Sequence, residues 1–147
     1  MRAVAELMRR HVPIALPEAP LGRIIELMVD TDLEGVLIVD GRGRVVGTVG
    51  DEQLVARLHA SRHRPWWRQL VADGGACWSD GHLSTVTAAE IMLRRVVTVV
   101  PTTSAVAAIR LFDEYAVNVL PVVDGRQTVL GSVYRRDLVQ SLLRAGG

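Results

Sequence analysis

The sequence contains no lysine, a single cysteine, few aromatic residues and no long hydrophobic run. Because Cys77 stands alone, the chain can form neither an internal disulfide nor a cysteine cage for a metal, and we expect a reducing, cytoplasmic location. No stretch approaches the roughly 20 apolar residues of a membrane-spanning helix, and the first residues lack the apolar run of a signal peptide. Seventeen arginines face 16 acidic residues, so the net charge of +1 gives no whole-molecule attraction to nucleic acid or membranes.

Residues for catalysis are equally scarce. The sequence has no nucleophile motif, no P-loop and no dinucleotide fingerprint. Cys77 and His82 lie five residues apart in a glycine-rich segment, without a third residue to orient them. His59 and His63 have the i, i+4 spacing of a metal pair, but two ligands make a weak site and the surrounding arginines disfavour a cation. We therefore predict that the chain is not an enzyme and holds neither a metal nor a resident cofactor.

What the sequence does contain is an internal repeat. A shift of 84 residues aligns 5–56 with 89–140 without a gap, and 17 of the 52 aligned pairs are identical. Unrelated segments share only a few identities, so we interpret the two segments as copies of one unit. With 49% hydrophobic and 22% charged residues, the chain has the composition of a globular protein large enough for two small packed halves.

Each copy has the same predicted order of elements. A short entry helix is followed by a strand, an amphipathic helix, two strands joined by a tight turn, and a last helix. Helical stripes at i, i+3, i+4 and i+7 are Leu21, Ile24, Ile25 and Met28 in the first copy and Ala105, Ala108, Ile109 and Phe112 in the second. The strands of the two predicted hairpins are Val36–Val39 with Val45–Val49 and Val119–Val123 with Val129–Val133. Because one such unit covers only one face of its sheet, we expect an α/β (α+β) fold of two β-α-β-β-α repeats, packed sheet against sheet with pseudo-twofold symmetry.

This pattern divides the chain into a first domain at 1–56, a linker with partial helix at 57–84 and a second domain at 85–147. The linker holds all three tryptophans, and Pro65 is expected to end or bend the helix that begins near Asp51. The run Arg62–Arg68 mixes basic and aromatic residues. We interpret it as a solvated face or a protein-docking surface in preference to a nucleic-acid contact, and we predict no membrane partner.

Four motifs in the second copy carry a resemblance to a known family. They are Ala88–Met92, Val97–Pro101, Asn118–Gly125 and Gly131–Leu138, and their order and duplication are more specific than any one of them. In this respect the chain resembles the CBS-domain family, named for cystathionine beta-synthase. The resemblance implies a tandem regulatory module that binds AMP, ADP, ATP, S-adenosylmethionine or a related ligand in clefts between its two domains. It also implies a homodimer whose ligand occupancy is sensed by a protein partner.

The resemblance further implies roles for residues of the second copy. In the family pattern the last strand ends with Gly, two residues, Ser or Thr, two more residues and Asp, and Asp137 matches the Asp that accepts from the ribose hydroxyls. Arg135 and Arg136 are candidates for phosphate contact, while Tyr134 stands at the Ser/Thr position and crowds it. Candidates for the base pocket are Thr98, Val99, Val119, Leu120 and Pro121.

The first copy departs further from the pattern. Gly50 stands at the Ser/Thr position, Gln53 stands at the Asp position, and Asp51 and Glu52 replace the two arginines. Two carboxylates would repel a phosphate, so we predict an unequal pair in which the Asp137 site is the better one. The alternative to a sensor is a module that has lost its ligand and serves only for dimerisation or partner docking.

Overall fold

The computed structural model describes residues 2–54 and 86–146. Predictions for the linker therefore lie outside the described residues. The interpretations that fall there are those of His59, His63, Cys77, His82, Pro65 and Arg62–Arg68.

The first repeat contains the elements expected from its pattern. They are helix α1 (Val4–Leu7), strand β1 (Ile14–Ala15), helix α2 (Leu21–Thr31), strand β2 (Gly35–Val39) and strand β3 (Val45–Gly50). A helical turn at 51–54 follows. The sheet has the order β1-β2-β3, with β1 parallel to β2 and β2 antiparallel to β3.

The second repeat has the same order of elements, except that its first strand is only a single bridge. Its elements are helix α3 (Ala88–Ile91), helix α4 (Ala105–Tyr115), strand β4 (Val119–Val123), strand β5 (Val129–Tyr134) and helix α5 (Arg135–Gly146). Strands β4 and β5 are antiparallel. The prediction of two α+β repeats is thus confirmed. No helix in the described part of the chain has the length and apolarity that a membrane crossing requires.

The first strand of the second repeat is shorter than the pattern predicts. It is reduced to one parallel bridge between Val99 and Val122. In the first repeat, the amide of Leu37 donates to the Pro13 carbonyl at 3.0 Å. The residue equivalent to Leu37 is Pro121, which has no N–H to donate, so the corresponding ladder bond cannot form.

The hairpin turns are built alike in both repeats. The Oδ1 atom of Asp40 accepts from the amides of Arg42 at 2.8 Å and Arg44 at 3.0 Å. Asp124 accepts in the same way from Arg126 and Thr128 at 2.8 and 3.0 Å. The hydrogen bonds from the amides of Arg44 and Arg42 lower the pKa of Asp40, because they favour its ionised form.

The two repeats exchange their entry helices. Val4 of α1 is fully buried in the core of the second repeat, where its amide donates to the carbonyl of Thr103 at 2.7 Å. Ala88 of α3 is fully buried in the core of the first repeat, and its amide donates to Ala19 at 2.8 Å. Each apolar core is therefore completed by a helix from the other copy.

The two sheets meet at equivalent positions of β2 and β4. Gly35 lies against Val119, 84 residues further along the chain, and a Cβ at Gly35 would come within 2.7 Å of the Val119 Cγ1 atom. Leu33, Leu37, Val119 and Tyr134 form a buried cluster at this contact. Gly35 and Val119 form the central pair of this contact. Because only one of the two has room for a side chain, the pseudo-twofold symmetry between the repeats is broken there.

Gly131 lies directly against the backbone of the first repeat's entry segment. A Cβ at Gly131 would overlap the carbonyl oxygen of Arg9 and lie 3.3 Å from the Cα atom of Arg10, so backbone would have to move. We expect Gly131→Ala to lower the free energy of unfolding by roughly 1–3 kcal/mol in urea denaturation. Gly125→Ala is the matched control, since a Cβ there has nothing within 4 Å. Equal stability of the two variants would contradict this account of the crossing.

Candidate ligand-binding clefts

The polar residues of the second repeat gather where β5 ends and α5 begins. Tyr134 is the last residue of β5, and Arg135, Arg136 and Asp137 form the first turn of α5. The entry segment of the first repeat crosses this point, because Arg9 and Ser132 form an antiparallel bridge with hydrogen bonds of 2.8 and 2.9 Å. Both repeats therefore contribute residues beside Asp137.

Asp137 is held by an arginine from the other repeat. The Nε atom of Arg9 donates to Oδ2 at 2.8 Å and its Nη2 atom donates to Oδ1 at 3.1 Å. The Asp137 side chain is 17% exposed and that of Arg9 is 43% exposed. The hydrogen bond to Asp137 raises the pKa of Arg9, and partial burial offsets some of that rise.

Tyr134 lies in the contact between the two repeats. Its side chain is 2% exposed, and its hydroxyl donates to the carbonyl oxygen of Gly35 at 3.1 Å. Burial raises the pKa of Tyr134, and the nearby Ser132 hydroxyl and Arg9 guanidinium offset part of that rise. The phenol thus fills the position at which the family pattern has a small Ser or Thr.

Ser132 adds an unsatisfied polar atom to this region. It is fully buried, and its Oγ atom makes no hydrogen bond of good geometry within the described residues, although it lies close enough to the phenol of Tyr134 to lower that group's pKa. Leaving a buried hydroxyl without a partner costs about 1–3 kcal/mol, and such a group is commonly satisfied by a water or a ligand atom. Ser132 and Tyr134 are two residues apart on β5, so both side chains lie on one face of the sheet.

The base-pocket candidates do not share one face. Val119 is paired with Tyr134 and Pro121 with Ser132, which places these two beside the polar residues. Leu120 lies on the opposite face and is fully buried in the core of the second repeat, as is most of Val99. Thr98 is half-buried just before Val99.

The two arginines of α5 differ in their surroundings. Arg135 donates from Nη2 to the carbonyl oxygen of Phe112 at 3.4 Å and lines a groove of about 290 Å³ between α4 and α5. That groove also contains Leu138 and Val139, and it lies away from the Arg9 contact. Arg136 is exposed and has no hydrogen-bond partner among the described residues.

The equivalent cleft of the first repeat is small. It has a volume of about 20 Å³, enough for about one water molecule. Gln53 closes it from within, since its Oε1 atom accepts from the amide of Gly50 at 2.6 Å. Asn118 crosses from the second repeat and donates to Oδ1 of Asp51 at 3.1 Å. The residues that line it are Thr48, Gly50, Glu52, Gln53, Leu93, Ala116, Val117, Asn118 and Val119.

Sequence reasoning missed Arg9, Ser132 and Gly35. The signal for Arg9 was present in the repeat alignment, where it stands opposite Leu93 just as Asp137 stands opposite Gln53. One of these aligned pairs differs by a positive charge and the other by a negative charge. Opposite changes of this kind between the two copies indicate that the two charged residues are in contact. The role of Gly35 has no such signal, because it depends on how closely the sheets approach.

The hydroxyl of Tyr134 can be tested for its part in joining the repeats. We expect Tyr134→Phe to lower the free energy of unfolding by about 1–3 kcal/mol, because the Gly35 carbonyl loses its buried donor. Tyr115→Phe is the matched control, since Tyr115 is only half-buried and its hydroxyl has no hydrogen bond within the described residues. Equal unfolding midpoints for the two variants would show that the bond to Gly35 contributes nothing.

Comparison with protein families gives a match to both repeats. The model of the CBS domain matches residues 4–60 and again 88–144. No curated protein sequence matches the chain significantly.

Solved structures match the chain over nearly its whole length. The structure of CBSX2 in complex with AMP has 22% sequence identity and a TM-score of 0.73, with 100% of both chains covered. The CBS domain pair of protein MJ0100, in complex with 5′-methylthioadenosine and S-adenosyl-L-methionine, has 18% identity and a TM-score of 0.74, with 100% and 99% covered. The CBS domains of a transcriptional regulator from Streptococcus pneumoniae have 19% identity and a TM-score of 0.69, with 95% and 98% covered. At these identities the comparisons establish the fold.

Proposed function

We propose that this chain, which belongs to the CBS domain family, is a regulatory module that binds an adenosine-containing ligand in the cleft beside Asp137. The observation that carries the proposal is the Asp137 carboxylate, only 17% exposed in the first turn of α5, at the point where Arg9 of the first repeat reaches it. A carboxylate accepts from two neighbouring hydroxyls at once, as a ribose diol requires. The role is regulatory and not catalytic, in a cytoplasmic setting that the single cysteine favours.

The ligands of structural neighbours support this choice of class. CBSX2 has been solved with AMP, and the MJ0100 domain pair with 5′-methylthioadenosine and S-adenosyl-L-methionine. In this chain Val119 and Pro121 are the apolar residues beside the polar group, and Arg136 is the exposed cation closest in sequence to Asp137. Tyr134 restricts the space, which favours a compact ligand.

Calorimetry with AMP, ADP, ATP, S-adenosylmethionine and 5′-methylthioadenosine tests the proposal. We expect the wild-type chain to bind at least one of them, and Asp137→Ala to weaken that binding by about tenfold or more, because hydrogen bonds to a charged acceptor are lost. Gln53→Ala is the matched control at the equivalent position of the first repeat, where the cleft holds only about 20 Å³, and should leave the affinity unchanged. Absence of binding by wild type and by Arg9→Leu alike, or undiminished binding by Asp137→Ala, would refute the site.

A second copy of the chain is the proposed partner of the outer helix face. On α5, Leu143 is 73% exposed, and Val139 and Leu142 are about half exposed. Val139 also borders the apolar groove between α4 and α5. Apolar surface of this kind on a small protein indicates an interface, and the family commonly pairs into a flat disc.

Sedimentation velocity tests this pairing. We expect wild type to sediment as a dimer and Leu143→Glu to raise the dimer dissociation constant by about tenfold or more, because an unpaired carboxylate would be buried. Gln140→Glu adds the same charge at an exposed polar position of the same helix and serves as the control. A monomeric wild type, or equal dissociation constants for the two variants, would refute the dimer.

A ligand-free docking module is the second candidate function. It is favoured by the filling of both clefts from within, by Arg9 and Tyr134 in one and by Gln53 in the other. A thermal shift separates the two functions, because a ligand at about 100 times its dissociation constant stabilises a protein by roughly 2.7 kcal/mol. No shift with any of the five ligands would favour the docking function.

A further inference from the structure

We propose that Arg9 is an internal competitor for the ligand at Asp137, so that the cleft is closed until a ligand displaces its side chain. The inference rests on the proposed function and assigns a regulatory element to that site. The carboxylate expected to accept ligand hydroxyls already accepts two N–H groups of Arg9.

The Arg9 guanidinium and a ligand diol cannot occupy the same edge of the Asp137 carboxylate at the same time. The Nε and Nη2 donors of Arg9 engage one carboxylate oxygen each, at 2.8 and 3.1 Å. A guanidinium holds two parallel donors in a rigid fork, and a vicinal diol presents two donors side by side to the same pair of oxygens. One edge of a carboxylate accommodates one such pair, so a diol can bind along that edge only after the Arg9 fork has left.

The chain allows the side chain of Arg9 to move while its backbone stays in place. The backbone is anchored by both hydrogen bonds to Ser132, and α1 just before it is held by Val4 in the second core. The side chain is 43% exposed, so swinging it into water requires little rearrangement.

The same contact is missing from the other cleft. The residues equivalent to Arg9 and Asp137 are Leu93 and Gln53, which cannot form an ion pair, and Gln53 accepts from its own turn instead. The competitor therefore occurs at the site that has the acidic acceptor, to which Arg9 is supplied by the first repeat. This distribution is expected if Arg9 regulates access to Asp137 and does not serve a structural need common to both repeats.

Affinity for 5′-methylthioadenosine tests the proposal, because this probe has the diol but no negative charge that Arg9 could attract. We expect Arg9→Leu, which copies the residue at position 93, to bind it about two- to tenfold more tightly than wild type, from the usual strength of partly exposed ion pairs. Arg10→Leu is the matched control, since it removes the same charge from an exposed neighbour without an ion pair among the described residues. Arg10→Leu should bind as wild type does.

The outcomes separate this inference from the proposed function. If wild type binds, Asp137→Ala weakens binding as expected and Arg9→Leu binds no more tightly than wild type, the competitor role is refuted and the sensor function stands. If neither wild type nor Arg9→Leu binds the probe, both the sensor function and the competitor role are refuted. Binding by Arg9→Leu alone would support a competitor strong enough to exclude the probe from wild type.

A direct measurement covers the case in which Arg9→Leu does not fold. In the wild-type chain, the Nε–H resonance of Arg9, assigned with Arg9→Lys, should exchange faster with water when 5′-methylthioadenosine saturates the site. Unchanged exchange at saturation would show that Arg9 stays on Asp137 and would refute the inference.

Discussion

The structure depends on the exchange of entry helices between the two repeats. Neither repeat completes its own core, because Val4 is buried among second-repeat residues and Ala88 among first-repeat residues. A small sheet with two helices covers only one of its faces, and the borrowed helix together with the opposing sheet removes the remaining apolar surface from water. Folding of one repeat is therefore coupled to the presence of the other.

This exchange also brings the candidate site together. The segment that carries Val4 into the second core continues to Arg9, whose backbone pairs with Ser132 and whose side chain pairs with Asp137. Gly131 permits the crossing because its missing side chain leaves room for the Arg9 carbonyl. Both repeats therefore supply a side chain to the candidate site beside Asp137.

The two clefts show how a duplicated unit becomes unequal. The central pair of Gly35 and Val119 can hold one side chain, and the Tyr134 hydroxyl donates to Gly35, whereas Gly50 at the position equivalent to Tyr134 has no side chain to donate. Asn118 joins Asp51 on the other side. Small differences at equivalent positions therefore distribute hydrogen bonds and charge differently, and the first cleft retains about 20 Å³.

The amino-acid sequence by itself determined the two repeats, the order of their elements and the hairpins, because hydrophobic periodicity and turn residues act over a few neighbouring positions. It also predicted Asp137 as the better candidate than Gln53, and that assignment stays a prediction. Only the tertiary structure decided that α1 and α3 change places, that Arg9 occupies Asp137 and that Pro121 leaves Val99 with a single bridge. These features depend on contacts between residues far apart in the chain, for which local patterns carry no information.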